Sequence, residues 1–186
     1  MSFWSTSTGE NLAAKSNEEA QTYAPESGSL DPIPGKSKVR AFIKDAKWDA
    51  YQDANFIKIR WDVLKPDEYA NRVVFQKLWV RDDDPNAKDP AKKRDNALKM
   101  LRKIDALCGG KLGAAGVEPT DDSLLLALGD KQMVIAVELW EMKGDDGETR
   151  SGNWVRDVLP CEGTALEIGE APKPVKDDLD TDDIPF

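Results

Sequence analysis

Three short stretches of this chain interleave cations with aromatic rings. They are Lys38, Arg40, Phe42 and Lys44; Phe56, Lys58 and Arg60; and Phe75, Lys77, Trp79 and Arg81. On an extended backbone every second side chain shares a face, so each stretch presents charge and ring together. Cations so placed can follow a phosphate backbone, and rings can stack on unpaired bases for about 1–3 kcal/mol per base. Trp48 and Tyr51 lie between the first two stretches and are expected to extend the same platform. A second group closes the sequence: five aspartates, Asp177, Asp178, Asp180, Asp182 and Asp183, lead into Ile184-Pro185-Phe186. A run this polar buries too little apolar area to fold alone. Its tip nevertheless has the parts of a docking peptide: an aromatic ring beside a carboxylate, a stiff proline, an apolar Ile184, and acids that steer toward a basic surface.

Catalytic and metal chemistry find little support. The chain has no histidine, and its two cysteines, Cys108 and Cys161, form no Cys-x-x-Cys pair. A zinc site is therefore not expected, and both thiols read as reduced and structural. Asp82-Asp83-Asp84 with Asp89 offers clustered oxygens, but the spacing is not that of a calcium loop. Gly109-Gly110-Lys111 is similar to part of a phosphate-binding loop, yet no Ser or Thr follows the lysine, and the segment reads as a helix cap and linker. No nucleophile motif and no carboxylate pair in a clear context is present. The expectation is a binding protein without catalytic residues, metal or cofactor.

The elements that must position these residues follow from periodicity. Lys38–Lys44, Asn55–Val63 and Arg72–Arg81 alternate as strands, with Val39, Ala41 and Ile43, then Ile57, Ile59, Trp61 and Val63, then Val74, Leu78 and Val80 on the apolar faces. Trp61 is assigned to the core, whereas Phe42, Phe75 and Trp79 are open to either a core or a surface role. Trp48–Ala54 reads as a turn, and Pro66-Asp67-Glu68 as a break between strands. A helix begins at Asp89-Pro90, buries Ala97, Leu98, Leu101, Ile104 and Cys108, and stops at Gly109-Gly110. Its cations, among them Lys92, Lys93, Arg94, Lys99, Arg102 and Lys103, read as a solvated face. A short helix spans Asp121–Leu128, between Thr120 and Gly129. Strands at Gln132–Met142 and Asn153–Leu159 follow, joined by a hairpin at Gly144-Asp145-Asp146-Gly147. Three strands, a helix and two strands predict an all-β fold with a helical insert: a five-stranded Greek-key barrel of the OB type, the helix lying between strands three and four. The domain spans residues 35–160. Residues 1–34 form a flexible N-terminal arm with a short helix near Asn11–Gln21, and residues 161–186 a disordered acidic tail with the docking tip.

Charge distribution agrees with this division. The net charge is −9, yet residues 1–35 hold −4 and residues 162–186 hold −6, so the body from 36 to 160 is +1. Within it, residues 36–110 carry 18 basic and 12 acidic side chains, a net +6. A mildly basic body between acidic ends can bind phosphates locally. No run of about twenty apolar residues predicts a membrane span, and the N-terminus lacks the pattern of a secretory signal.

The acidic run with Asp182-Asp183-Ile184-Pro185-Phe186 resembles the C-terminal tip of bacterial single-stranded DNA-binding proteins. The resemblance covers a small part of the chain but is tied to its terminus. It implies binding and protection of single-stranded DNA in replication, recombination or repair, and recruitment of replication and repair proteins through the tip. A cytoplasmic location goes with it. The long arm, the large insert between strands three and four and the short tail depart from the bacterial pattern and resemble a bacteriophage-encoded version acting in a bacterial host. No oligomeric state carries over, and self-association on DNA stays open. Three other readings remain: an adaptor that imitates the tip and binds no DNA, an RNA-binding OB domain, and a metal-dependent nuclease using Asp82–Asp84 and Asp89.

Overall fold

The computed structural model describes residues 11–16, 31–52, 54–82, 89–143 and 149–170. The Gly144–Gly147 hairpin, Asp83 and Asp84, most of the N-terminal arm and the Asp177–Phe186 tip lie outside the described residues. Two compact units divide the chain, Met1–Asp31 and Pro32–Phe186. In the first, Leu12–Ala14 forms one 3-10 turn, with the Asn11 side chain accepting a bond from the Ala13 N–H.

The second unit is mostly one five-stranded antiparallel sheet: β1 (Ser37–Tyr51), β2 (Ala54–Lys65), β3 (Val73–Asp82), β4 (Gln132–Lys143) and β5 (Thr149–Leu159). The strand order is β3-β2-β1-β4-β5. β1 is shared: Ser37–Phe42 pair with β4, and Arg40–Tyr51 pair with β2. The outermost strands, β3 and β5, approach each other, so the sheet is compatible with a barrel-like curl.

The inward faces are those the alternation predicts. Val39, Ala41, Ile43, Ile57, Ile59, Trp61, Val63, Val74, Leu78 and Val80 are all buried, with Trp61 fully enclosed. Gln76 breaks the apolar pattern of β3 yet is buried, because its Oε1 accepts the indole N–H of Trp61 at 3.0 Å. A buried indole donor without an acceptor would lose its hydration uncompensated.

β1 is longer than its sequence suggests and runs through the segment read as a turn. A register shift between Ile43 and Asp45 inserts one residue. Inward parity moves from Val39, Ala41 and Ile43 to Ala46, so a search for strict alternation ends at Lys44. The reversal between β1 and β2 comes later, at Gln52, where φ is 52°.

Between β3 and β4 lie α1 (Pro90–Leu107), α2 (Lys111–Ala115) and α3 (Asp121–Leu128). Asp89 caps α1 by accepting from the Lys92 N–H, and Thr120 with Ser123 forms a reciprocal capping box on α3. α1 packs against β3 and β5, while α3 packs against β1. α2 was not legible as a helix. It is organised by Asp105, a buried carboxylate that accepts from the Leu112 N–H at 2.9 Å, the Gly113 N–H at 2.8 Å and Arg102 at 3.1 Å. Gly109 and Gly110 end α1, the Gly110 N–H bonding to the Asp105 backbone carbonyl at 2.7 Å, in agreement with their reading as a cap, whereas Lys111, read as linker, opens α2.

Composition draws the domain edges differently from packing. Ile33 is buried, and its backbone bonds to the Asn153 side chain in both directions, at 2.8 and 2.7 Å. Glu167 forms a two-way backbone bridge with Lys38, at 2.6 and 3.1 Å, reinforced by their ion pair at 2.9 Å. Gly169 then donates to the buried Ser37 hydroxyl at 3.0 Å. A Cβ on Gly169 would lie 1.9 Å from the Gly35 carbonyl oxygen, so only glycine permits this approach. The stretch 161–170 therefore straps the start of β1 rather than behaving as free tail.

Replacing Asp105 with Ala leaves two backbone donors without acceptors and should lower stability by about 2–3 kcal/mol. Thermal unfolding followed by circular dichroism would register this as a fall in Tm of roughly 5–10 °C. Burial, aided by the Asp105 charge, pushes the Cys108 thiol up to about 11. At pH 8 a disulfide reagent should titrate the half-exposed Cys161 in the native protein, and Cys108 only after denaturant is added.

Candidate nucleic-acid interface

The outward faces of β1, β2 and β3 form one continuous surface. Pairing places Phe56 opposite Trp79, Lys58 opposite Lys77, and Arg60 opposite Phe75. The rings of Phe56 and Trp79 lie 4.7 Å apart at 47°. Lys77 Nζ stands 5.0 Å from the Phe56 ring and 5.9 Å from the Trp79 ring, while Lys58 Nζ stands 5.2 Å from the Phe75 ring. Ammonium groups over ring faces gain about 0.5–1 kcal/mol at such exposed positions. Phe75 is 49% exposed, and Trp79 and Phe42 are half-buried. Phe56 is only 2% exposed, so it supports the Trp79 ring from behind rather than offering its own face.

Other expected members sit apart from this cluster. Tyr51 is 60% exposed at the hairpin end of the same face, opposite Ala54. Lys38 and Arg40 lie farther along β1, where it pairs with β4. The Arg40 Nε is buried without a hydrogen-bond partner among the described residues, an uncommon state for a cationic donor. Two bulges turn three residues off the platform. The one in β1 leaves Lys44 lining a surface hollow with Asp122, in the first turn of α3, and Asp130, just past its end. It also sends Trp48, paired with Ile57, to the helix-covered side, where its indole donates to the Pro119 carbonyl at 2.7 Å. The shift in the β2–β3 register places Arg81 opposite Asn55. Arg81 there forms an ion pair with Glu118 and lies 6.0 Å from the Trp48 ring.

Attention to cations and rings missed the acids on the same face. Asp62 accepts from both Nε and Nη2 of Arg60, at 2.8 and 3.2 Å. Asp49 lies 3.6 Å from Lys58, and Asp45 lies 3.4 Å from Lys47. Asp62 was visible in the alternation of β2. Asp45, Lys47 and Asp49 became outward only through the bulge. The surface is thus a lattice of ion pairs among rings. A phosphate there would exchange one anionic partner for another, since exposed pairs of this kind contribute only about 0.2–1 kcal/mol.

Among the described residues no group of three or more His, Cys, Asp or Glu could hold a metal ion, and Asp89 acts as a helix cap. None of their helices is long and apolar enough to cross a membrane. No protein-family model matches the chain, and no curated protein is significantly similar to it.

Proposed function

We propose that this chain is a single-stranded DNA-binding protein, bacteriophage-encoded and without catalytic activity. Its body is a five-stranded Greek-key OB barrel, and its acidic Ile-Pro-Phe tip recruits replication and repair proteins in the cytoplasm of a bacterial host. The strand order, with β1 between β2 and β4 and a helix between β3 and β4, supports the barrel. The observation that carries the DNA reading is the outward β2–β3 surface, where Phe75 and Trp79 alternate with Lys58 and Lys77 at ring-contact distances. A strand laid across it stacks bases on these rings and sets phosphates against Lys58, Lys77 and Arg60.

Asp45, Asp49 and Asp62 favour a second reading. A face whose cations are already matched by acids suits an adaptor that displays the tip and binds no nucleic acid.

Fluorescence anisotropy with labelled oligo-dT, oligo-rU and duplex DNA separates the two. Tight, salt-sensitive dT binding with weaker rU and duplex binding is expected. Phe75→Ala and Trp79→Ala should each weaken it by roughly 5- to 150-fold, the equivalent of about 1–3 kcal/mol per stacked base. Absence of binding to all three probes moves the function to the adaptor. Phe186→Ala should leave dT affinity intact and abolish capture of host replication proteins; capture that survives would show that the tip is not the anchor. Deleting Asp177–Phe186 should tighten dT binding at low salt if the tail competes for the same surface, and unchanged affinity removes that competition.

A further inference from the structure

Between β3, α1 and β5 runs a groove of about 640 Å³. One wall is the outer edge of β3, with Phe75, Lys77 and Trp79; the facing wall is β5, with Trp154 and Arg156. Its floor is a single stripe of α1, in which Lys93, Asn96, Met100 and Lys103 recur at three- and four-residue spacing. Lys99 joins them. β3 and β5 end the strand order, so no described strand covers this seam.

Three properties of the groove point the same way. Trp154 is 45% exposed although it is an indole in the middle of a strand, and Phe75 is 49% exposed across from it. Five cations line the groove and no carboxylate does. Two acids beside the groove are already held, Asp157 by Lys103 at 2.5 Å and Glu138 by Arg156 at 2.9 Å. Finally, Phe75, Lys77 and Trp79 belong both to the strand face and to this groove, so the two surfaces are continuous over the β3 edge.

We propose that the groove is a second nucleotide-binding stretch, and that one single strand crosses the β3 edge from the strand face into it. Trp154 stacks on a base there, and Lys93, Lys99 and Arg156 take the following phosphates. The occupant is single-stranded nucleic acid because facing rings match bases and the lining cations match a polyanion; a duplex would keep its bases out of reach. This inference rests on the DNA-binding reading and extends it to residues that read in the sequence as a solvated helix face and an ordinary hairpin.

The test uses the full chain and a ladder of dT oligomers from roughly 4 to 16 nucleotides, the span of site sizes for one such barrel. Trp154→Ala and the pair Lys93→Ala/Lys99→Ala should bind the shortest oligomers like the unaltered protein. The longest should bind about tenfold more weakly to Trp154→Ala. In the lysine pair, the slope of log affinity against log salt should fall by about 1.4, or 0.7 per phosphate lost. Trp154→Phe should retain most of the affinity, and Phe75→Ala should lose it at every length. Equal affinity and slope at all lengths in both groove variants, with DNA binding otherwise intact, would overturn the groove and leave the strand face standing. Loss of binding to a labelled Asp177–Phe186 peptide in Trp154→Ala, with oligomers unaffected, would assign the groove to an acidic peptide instead. An unaltered protein that binds no oligomer overturns the DNA reading itself.

Discussion

Every surface in this protein depends on one strand having two partners. β1 bonds to β4 through its first residues and to β2 through its remainder, and it must supply core side chains to both halves of the sheet. A regular strand of this length would carry one set of side chains inward from end to end while the sheet twists beneath it. The inserted residue near Lys44 breaks that regularity. It lets Val39, Ala41 and Ile43 face the core on one side and Ala46 on the other. The Ile43 backbone is then held from the far side, accepting from Asp130 at 2.8 Å and donating to Lys131 at 3.0 Å. α3 is anchored where the sheet changes parity, and its cap at Thr120 follows the chain segment that receives the Trp48 indole.

The same device sorts the charges. Without the bulge, Trp48 would face outward with the rings of β2 and β3, and Asp45, Lys47 and Asp49 would point into the core. With it, Trp48 closes the helix side and three charged residues join the outer face. The result is an ion pair between neighbouring strands, Asp49 with Lys58, which joins the Arg60–Asp62 pair within β2 around rings capped by Lys58 and Lys77. Such a lattice is hydrated, salt-sensitive and individually weak, so its partners can exchange without disturbing the core beneath.

Much of this was legible in the sequence. Period-two alternation identified three strands, the apolar run after Gln132 and the hairpin turn beyond it two more, and Asp89-Pro90 and Thr120 marked two helix starts, because those signals are local. What stayed hidden was non-local. The parity change in β1 is invisible to a test that assumes constant alternation. Asp105 carries no local signal that sets it apart; its role emerges only once Leu112 and Gly113 fold back onto it. Glu167 and Gly169 have the composition of a tail, and their place is set by Lys38, Ser37 and Gly35, more than 120 residues earlier. Arg81 and Trp48 were grouped with the platform because pattern reading cannot see the bulge that shifts parity within their own strands.

The open seam between β3 and β5 bears on the solubility of the protein. A strand edge left without a partner invites pairing with the edge of another molecule, the geometry of fibrous aggregation. Here the edge lies within a groove lined by Lys77, Lys93, Lys99 and Lys103. Two copies meeting edge to edge would bring like charges together and be repelled. These lysines therefore guard the edge against pairing with the edge of another copy. A polyanion bridging two copies would cancel that repulsion, so crowding along a shared strand would bring the seams together under conditions in which the isolated protein stays dispersed.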